Sequence, residues 1–214
     1  MSRPALSRLT TALLVSLVCA VVSLVLFAGL AEEVLEGDTL QFDTAVRLFV
    51  HSHSSAHLTV AMQFFTLLGS SLFVSIGAAS GCVALWVMGR RRKALLLAIT
   101  VIGGSLLMWV LKMSFHRPRP QPFFDTHLPA SYSFPSGHAL LSLCLCGAGA
   151  ALFSANQKKR WVRIAIWAFA VVLVVAIGYS RIYLGVHYPS DVLAGYLGAF
   201  VWVLGVGIAY RKSR

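Results

Sequence analysis

Residues 90–113 read RRRKALLLAITVIGGSLLMWVLKM, four basic residues followed by an apolar run from Ala94 to Met113 that carries one charge, Lys112, near its far end. A helix needs about 20 predominantly apolar residues to cross the hydrocarbon core of a bilayer. A basic cluster flanking such a run is a signal of membrane topology. Working outward, comparable runs lie at Thr10–Leu30, Val60–Met88, His138–Ala155, Val162–Ser180 and Ser190–Tyr210. The reading is an all-α polytopic membrane protein with six transmembrane helices. The second run is long and interrupted by Gly69-Ser70-Ser71, which predicts a start that lies flat or tilts at the interface.

Composition agrees. Of 214 residues, 58% are hydrophobic and 12% charged, where a soluble domain carries about 25% charged and 45–50% apolar residues. Mean hydropathy is +0.79. A collagen, a disordered chain and a disulfide-rich secreted scaffold are excluded. The net charge of +11 does not indicate nucleic acid, because the basic residues form short clusters between apolar runs and not one solvated patch. Cys19, Cys82, Cys144 and Cys146 all fall within apolar spans and read as small hydrophobes, not disulfides.

The loops sort by charge. Arg3, Arg8, Arg90–Lys93, Lys158–Arg163 and Arg211–Arg214 hold 13 of the 18 basic residues and share one side if the spans alternate. The other side receives all seven acids (Glu32, Glu33, Glu36, Asp38, Asp43, Asp125 and Asp191) and all seven histidines. Positive-inside reasoning places both termini in the cytoplasm and the acidic side outside. Gly29-Leu30-Ala31 has the form of a signal cleavage site, but the apolar stretch before it exceeds the usual 7–15 residues of a signal core, so a retained helix is expected. Residues 32–57 read as a small extramembrane cap with an amphipathic turn, and residues 1–214 as a single domain.

Five cations defy the charge rule by lying outside: Arg47, Lys112, Arg117, Arg119 and Arg181. Retained against the bias, they mark the outer face as the working one. Three polar stretches meet there: Lys112 to Pro120 at the exit of the third span, Pro135-Ser136-Gly137-His138 opening the fourth, and Ser180-Arg181 through His187 to Asp191 before the sixth. Lys112, Arg119 and Arg181 on different helix ends suit a highly charged oxyanion, phosphate above all. Ser136-Gly137 at a helix start offers backbone N–H groups, a favourable dipole and a hydroxyl. Asp191, one turn after His187 in a helix that Pro189 can open, can fix the His187 tautomer and leave the other ring nitrogen as a nucleophile. His138 suits a general acid. Side chains supply every part, so no metal and no cofactor is called for.

Each residue alone has a blander reading. Lys112 can snorkel, Asp191 can cap a helix, and Pro135-Ser136-Gly137 can be a turn. His51, His53, His57 and His127 are expected to be solvated. His116 and Arg117 are open between support of the site and loop filler. Tyr132, Tyr183, Tyr188, Phe115, Phe123, Phe124 and Phe134 are expected to form an interfacial aromatic belt, with lining of a headgroup entry as the sharper alternative.

The three stretches together resemble the signature of the type-2 phosphatidic acid phosphatases, a family sharing its site with bacterial acid phosphatases and vanadium haloperoxidases. That signature is K-x6-R-P, P-S-G-H and S-R-x5-H-x3-D, and Lys112, Arg119-Pro120, Pro135 to His138, Ser180-Arg181, His187 and Asp191 fill every position. The resemblance implies that His187 becomes a phosphohistidine, Asp191 orients it, and His138 protonates the leaving group and then activates water. Lys112, Arg119, Ser136, Gly137 and Arg181 would hold the phosphoryl oxygens. Six spans favour a lipid phosphate substrate. Bacterial members of this size act on phosphatidylglycerol phosphate, undecaprenyl diphosphate or phosphatidic acid. The expectation is a metal-independent lipid phosphatase of a bacterial inner membrane, its site facing the periplasm or exterior. The alternative is a phosphotransferase using the same phosphohistidine. A transporter fits less well, because the cations stand at helix ends and not at the midplane.

Overall fold

The computed structural model describes residues 3–124 and 130–212, and the side chains of residue 11 and residues 13–124 and 130–211. Asp125, His127 and Arg214, and the side chains of Arg3, Arg8 and Lys212, lie outside the described residues. Among the described residues there are eight helices and no strand: α1 (Arg3–Glu36), α2 (Leu40–Ser52), α3 (Ala56–Leu68), α4 (Ser71–Val87), α5 (Arg91–Phe115), α6 (Gly137–Ser154), α7 (Arg160–Tyr183) and α8 (Pro189–Lys212). Five of them are long and apolar enough to cross a membrane, and α3 with α4 makes a sixth span bent by 49°.

That bend falls in the Gly69-Ser70-Ser71 interruption. Gly69 closes α3, and the Ser70 hydroxyl accepts from Phe73 N–H at 3.2 Å to start α4. The first span departs from the sequence reading, because α1 runs on through Glu36, so Glu32 and Glu33 sit on a helix and not in a loop. Gly37, at φ +88°, supplies the stop: Asp38 N–H returns to Glu33 C=O at 3.0 Å.

Two other endings aim the polar stretches. His116 ends α5 in a left-handed conformation (φ 49°), and Pro118 and Pro120 prevent its continuation. At the end of α7, Gly185 takes φ +73°, with Gly185 N–H on Ile182 C=O and Val186 N–H on Arg181 C=O. This paired closure turns the chain sharply between α7 and α8, where His187 lies.

Helix α6 is the hub, packing against α4, α5, α7 and α8, while α1 lies along α8 and α3 along α7. Val74, Leu97, Val101, Leu140, Leu141 and Cys144 form its main apolar cluster. The Trp202 indole N–H donates to Thr100 C=O at 2.9 Å, tying α8 to α5. All four cysteines are free thiols. Outward-facing residues such as Val25, Ile102, Phe169 and Val172 are large, apolar and exposed, as a lipid-facing surface requires.

Candidate active site

The ends of α5, α6, α7 and α8 bring together every residue singled out from the three stretches. His187 is buried, and its Nδ1 lies 3.2 Å from Asp191 Oδ2 one turn into α8. Pro189 does open that helix. The same carboxylate oxygen accepts Tyr188 N–H at 2.9 Å. With Nδ1–H donated to Asp191, Nε2 keeps its lone pair, and Arg119 Nη1 reaches it at 3.1 Å. Burial, then the fields of Arg181, Arg119 and Lys112, hold the His187 imidazole well below its ordinary value, so the ring is neutral.

Lys112 does not snorkel. It is 6% exposed and donates to the carbonyls of Tyr132 and Ser133. The Arg119 guanidinium is spread over Ser131 C=O (2.7 Å), the Ser131 hydroxyl (3.0 Å) and Val186 C=O (3.0 Å). Arg181, equally buried, donates to the Thr66 hydroxyl on α3 while its Nε has no partner. The Ser136 hydroxyl is likewise buried and unpartnered. One expectation is corrected: Ser136 N–H is not open to an anion, because Asp191 C=O accepts it at 2.9 Å, a bond that ties α6 to α8. The Ser136 side chain caps nothing, so the N–H groups of the first α6 turn face forward without a capping side chain. His138, second in that helix, stands within the fields of Arg181, His187, Arg119 and Lys112.

The sequence reading did not single out Asp43. This fully buried carboxylate comes from α2, and its Oδ2 accepts from the Ser190 hydroxyl at 2.6 Å and from Arg117 Nη2 at 2.8 Å. Its Oδ1 accepts Ser190 N–H at 2.9 Å. Arg117 then reaches Asp191 Oδ1 through Nη1 at 2.7 Å, so it supports the site and is not loop filler. His116, by contrast, is exposed, with its ring against the edge of Tyr132.

Part of the expected aromatic belt is interior. Tyr183 and Phe134 have no exposure: Tyr183 hydrogen-bonds Thr59 at 2.8 Å, and Phe134 packs on Phe27 and Phe115. Phe123 and Tyr188 belong to a stack running Arg117, Tyr188, Arg47, Phe123, His51, with neighbouring centres 4.2, 5.3, 4.7 and 4.2 Å apart. His51 is therefore half-buried, contrary to its expected solvation, because its ring lies flat on Phe123. His53 and His57 are exposed as expected. The four-residue spacing of Asp43, Arg47 and His51 on α2 was the available signal, since such steps place all three on one helix face.

The sequence model of the PAP2 superfamily matches residues 93–214. The chain belongs to the PAP2 superfamily. Within it, this PAP2 protein is 32% identical over 169 residues to phosphatidylglycerophosphatase B of Bacillus subtilis, covering 73% of this chain and 78% of that one. It is 35% identical over 131 residues to an undecaprenyl-diphosphatase of Sulfolobus acidocaldarius, spanning 58% of this chain and 59% of the relative. The crystal structure of a transmembrane PAP2 type phosphatidylglycerolphosphate phosphatase from Bacillus subtilis superposes with a TM-score of 0.81 at 26% identity, covering 91% of this chain and 97% of that one. The apolar helices and these relatives together make the chain a multi-pass membrane phosphatase of this family. The relatives' names agree on phosphatase chemistry and differ in the lipid. Asp43 precedes the matched segment.

Proposed function

We propose that this PAP2 protein hydrolyses a phosphate monoester or diphosphate of a membrane lipid through a phosphohistidine. The observation that supports it is a charge imbalance around a neutral nucleophile. Among the described residues, the connected cluster holds five cations (Arg47, Lys112, Arg117, Arg119 and Arg181) and two carboxylates (Asp43 and Asp191). An excess of three positive charges, with Arg47, Lys112 and Arg181 buried and Arg117 and Arg119 half-buried, is costly unless an anion completes it. The unpartnered Ser136 hydroxyl and Arg181 Nε, beside His138 and His187, are among the donors left for its oxygens.

In this reading His187 Nε2 attacks phosphorus while the bond to the lipid oxygen breaks, and His138 gives that oxygen its proton. Water then attacks the phosphohistidine, His138 takes the water's proton, and inorganic phosphate leaves with His187 neutral again. Asp191 holds Nδ1–H throughout. Lys112, Arg119, Ser136, Gly137 and Arg181 stabilise the equatorial oxygens as charge develops. Candidate substrates are phosphatidylglycerol phosphate, undecaprenyl diphosphate and phosphatidic acid. The basic loops support a bacterial inner-membrane orientation with both termini cytoplasmic and the site facing the periplasm or exterior.

The test is phosphate release by detergent-purified protein in EDTA against those three lipids, with His187→Ala in parallel. Release by the wild type that is lost in the variant is expected. No release from any of the lipids by folded protein, or release only when an acceptor alcohol is added, overturns the hydrolase in favour of transfer.

A further inference from the structure

We propose that Asp43, on α2, is a positioning residue for the His187–Asp191 pair, acting through Arg117 and Ser190. The inference rests on the phosphohistidine reading above.

Asp191 has two oxygens with separate duties. Oδ2 faces His187 Nδ1 and Tyr188 N–H, while Oδ1 takes Arg117 Nη1 at 2.7 Å. The carboxylate plane is thus fixed only while Arg117 is fixed. Arg117 is held from its far side by Asp43 Oδ2 at 2.8 Å and by the Thr39 hydroxyl at 3.2 Å, with the Tyr188 ring beneath its guanidinium. The guanidinium fork suits this bridge, since it presents its donors in one rigid plane. Asp43 also acts on α8 itself. By accepting both the Ser190 N–H and the Ser190 hydroxyl, it caps from another helix the first turn of the helix that carries Asp191. A carboxylate there also meets the positive end of the helix dipole.

None of the hydrogen bonds to Asp43 involves a proposed phosphate ligand. Lys112, Arg119 and Arg181 are anchored to Tyr132, Ser131, Val186 and Thr66, and Ser136 is held through its N–H by the backbone carbonyl of Asp191, not by the carboxylate that Arg117 fixes. Losing Asp43 therefore loosens the nucleophile while leaving the anion clamp standing. The extramembrane segment 40–52 becomes part of the catalytic unit.

The test measures kcat, KM and inhibition by inorganic vanadate for Asp43→Asn, Ser190→Ala, Arg117→Gln and the double variant Asp43→Asn/Arg117→Gln, on the full chain in detergent. The exposed Asp38→Asn serves as control. We expect kcat of Asp43→Asn to fall on the order of 10-fold or more, with KM and the vanadate constant within about 2-fold, by analogy with the 10- to 100-fold cost of removing outer supports of a site's ligands. Ser190→Ala should show a smaller loss of the same kind, and Asp43→Asn should add little once Arg117 is gone. A folded Asp43→Asn with wild-type kcat overturns the proposal. So does a matching rise in KM and vanadate constant, or failure of both Asp43→Asn and Ser190→Ala to fold, which would make the cluster purely structural. A wild type that releases no phosphate refutes the phosphatase reading instead.

Discussion

Arg119 Nη1 lies 3.1 Å from His187 Nε2, so the cation proposed to grip a phosphoryl oxygen already touches the nitrogen proposed to attack phosphorus. The same Nη1 also donates to Val186 C=O, and Nε and Nη2 are pinned to Ser131, which leaves the side chain little freedom to withdraw. The proposed nucleophile and the proposed clamp are thereby held side by side in one hydrogen-bonded arrangement.

Arg119→Lys keeps the charge and loses the fork. The ammonium cannot hold Ser131, Val186 and an anion at once, so kcat/KM should fall on the order of 10²-fold, the scale for losing one transition-state donor. Phosphate release by the purified variant, with folding checked by size-exclusion profile, measures this. A wild-type kcat/KM would remove Arg119 from the reaction.

The His187 environment also sets a pH signature in stability. Burial and then the Arg181, Arg119 and Lys112 charges hold its folded value well below 6.5, whereas the unfolded chain protonates near 6.5. Above that value both states are neutral and the full stability is present. As pH falls from about 6.5 toward the folded value, only the unfolded state takes up this proton, and stability drops by up to about 1.4 kcal/mol per pH unit. Melting temperatures of wild type and His187→Asn between pH 7.5 and 5.5 should converge as pH falls, because the variant lacks this term. Parallel curves would mean that His187 is not held neutral.

Much of the site was legible in the sequence because its parts are local. Ser136-Gly137-His138 are contiguous, His187 and Asp191 are one helical turn apart, and Pro189 and Gly185 are turn signals with a mechanical meaning. The break at Gly69-Ser70 was legible for the same reason. The shared face of Asp43, Arg47 and His51 could be read from their spacing, but what Asp43 meets could not, because its partners Arg117 and Ser190 lie 74 and 147 residues away and no periodicity records such a meeting. Tyr183 and Phe134 were misread as belt residues, since an aromatic at a span end has the same sequence signal whether it faces lipid or the interior. Glu32 and Glu33 were assigned to a loop on polarity, yet the helix stop is Gly37.

Tyr183 makes a test of how α7 is fastened to α3. Its hydroxyl meets the Thr59 hydroxyl at 2.8 Å and receives Ser55 N–H at 3.3 Å. Tyr183→Phe keeps the ring's packing on Phe124 and leaves the Ser55 N–H without this acceptor. Thermal unfolding in detergent should show a loss of about 1–2 kcal/mol. An unchanged melting temperature would show that these polar groups are satisfied equally well without the phenol.

Helix α8 approaches the start of α6 closely at Gly195. A Cβ on Gly195 would stand 2.7 Å from Ser136 C=O and 3.0 Å from the Ala139 methyl group, and neither neighbour is a flexible side-chain end that could move aside. Gly195→Ala must therefore push α8 away from the turn that carries Ser136 and His138, while α8 itself carries Asp191. Overpacking of this kind costs about 1–3 kcal/mol. Because it separates elements that the Ser136 N–H bond to Asp191 C=O joins, activity should fall more steeply than in Tyr183→Phe. Gly205 is the matched control on the same helix: a Cβ there meets nothing within 4 Å, so Gly205→Ala should leave both melting temperature and phosphate release near wild type. Equal behaviour of the two alanine variants would show that α8 can slide on α6 without disturbing the site. A selective loss in Gly195→Ala would show instead that this close approach holds Asp191 and Ser136 in register.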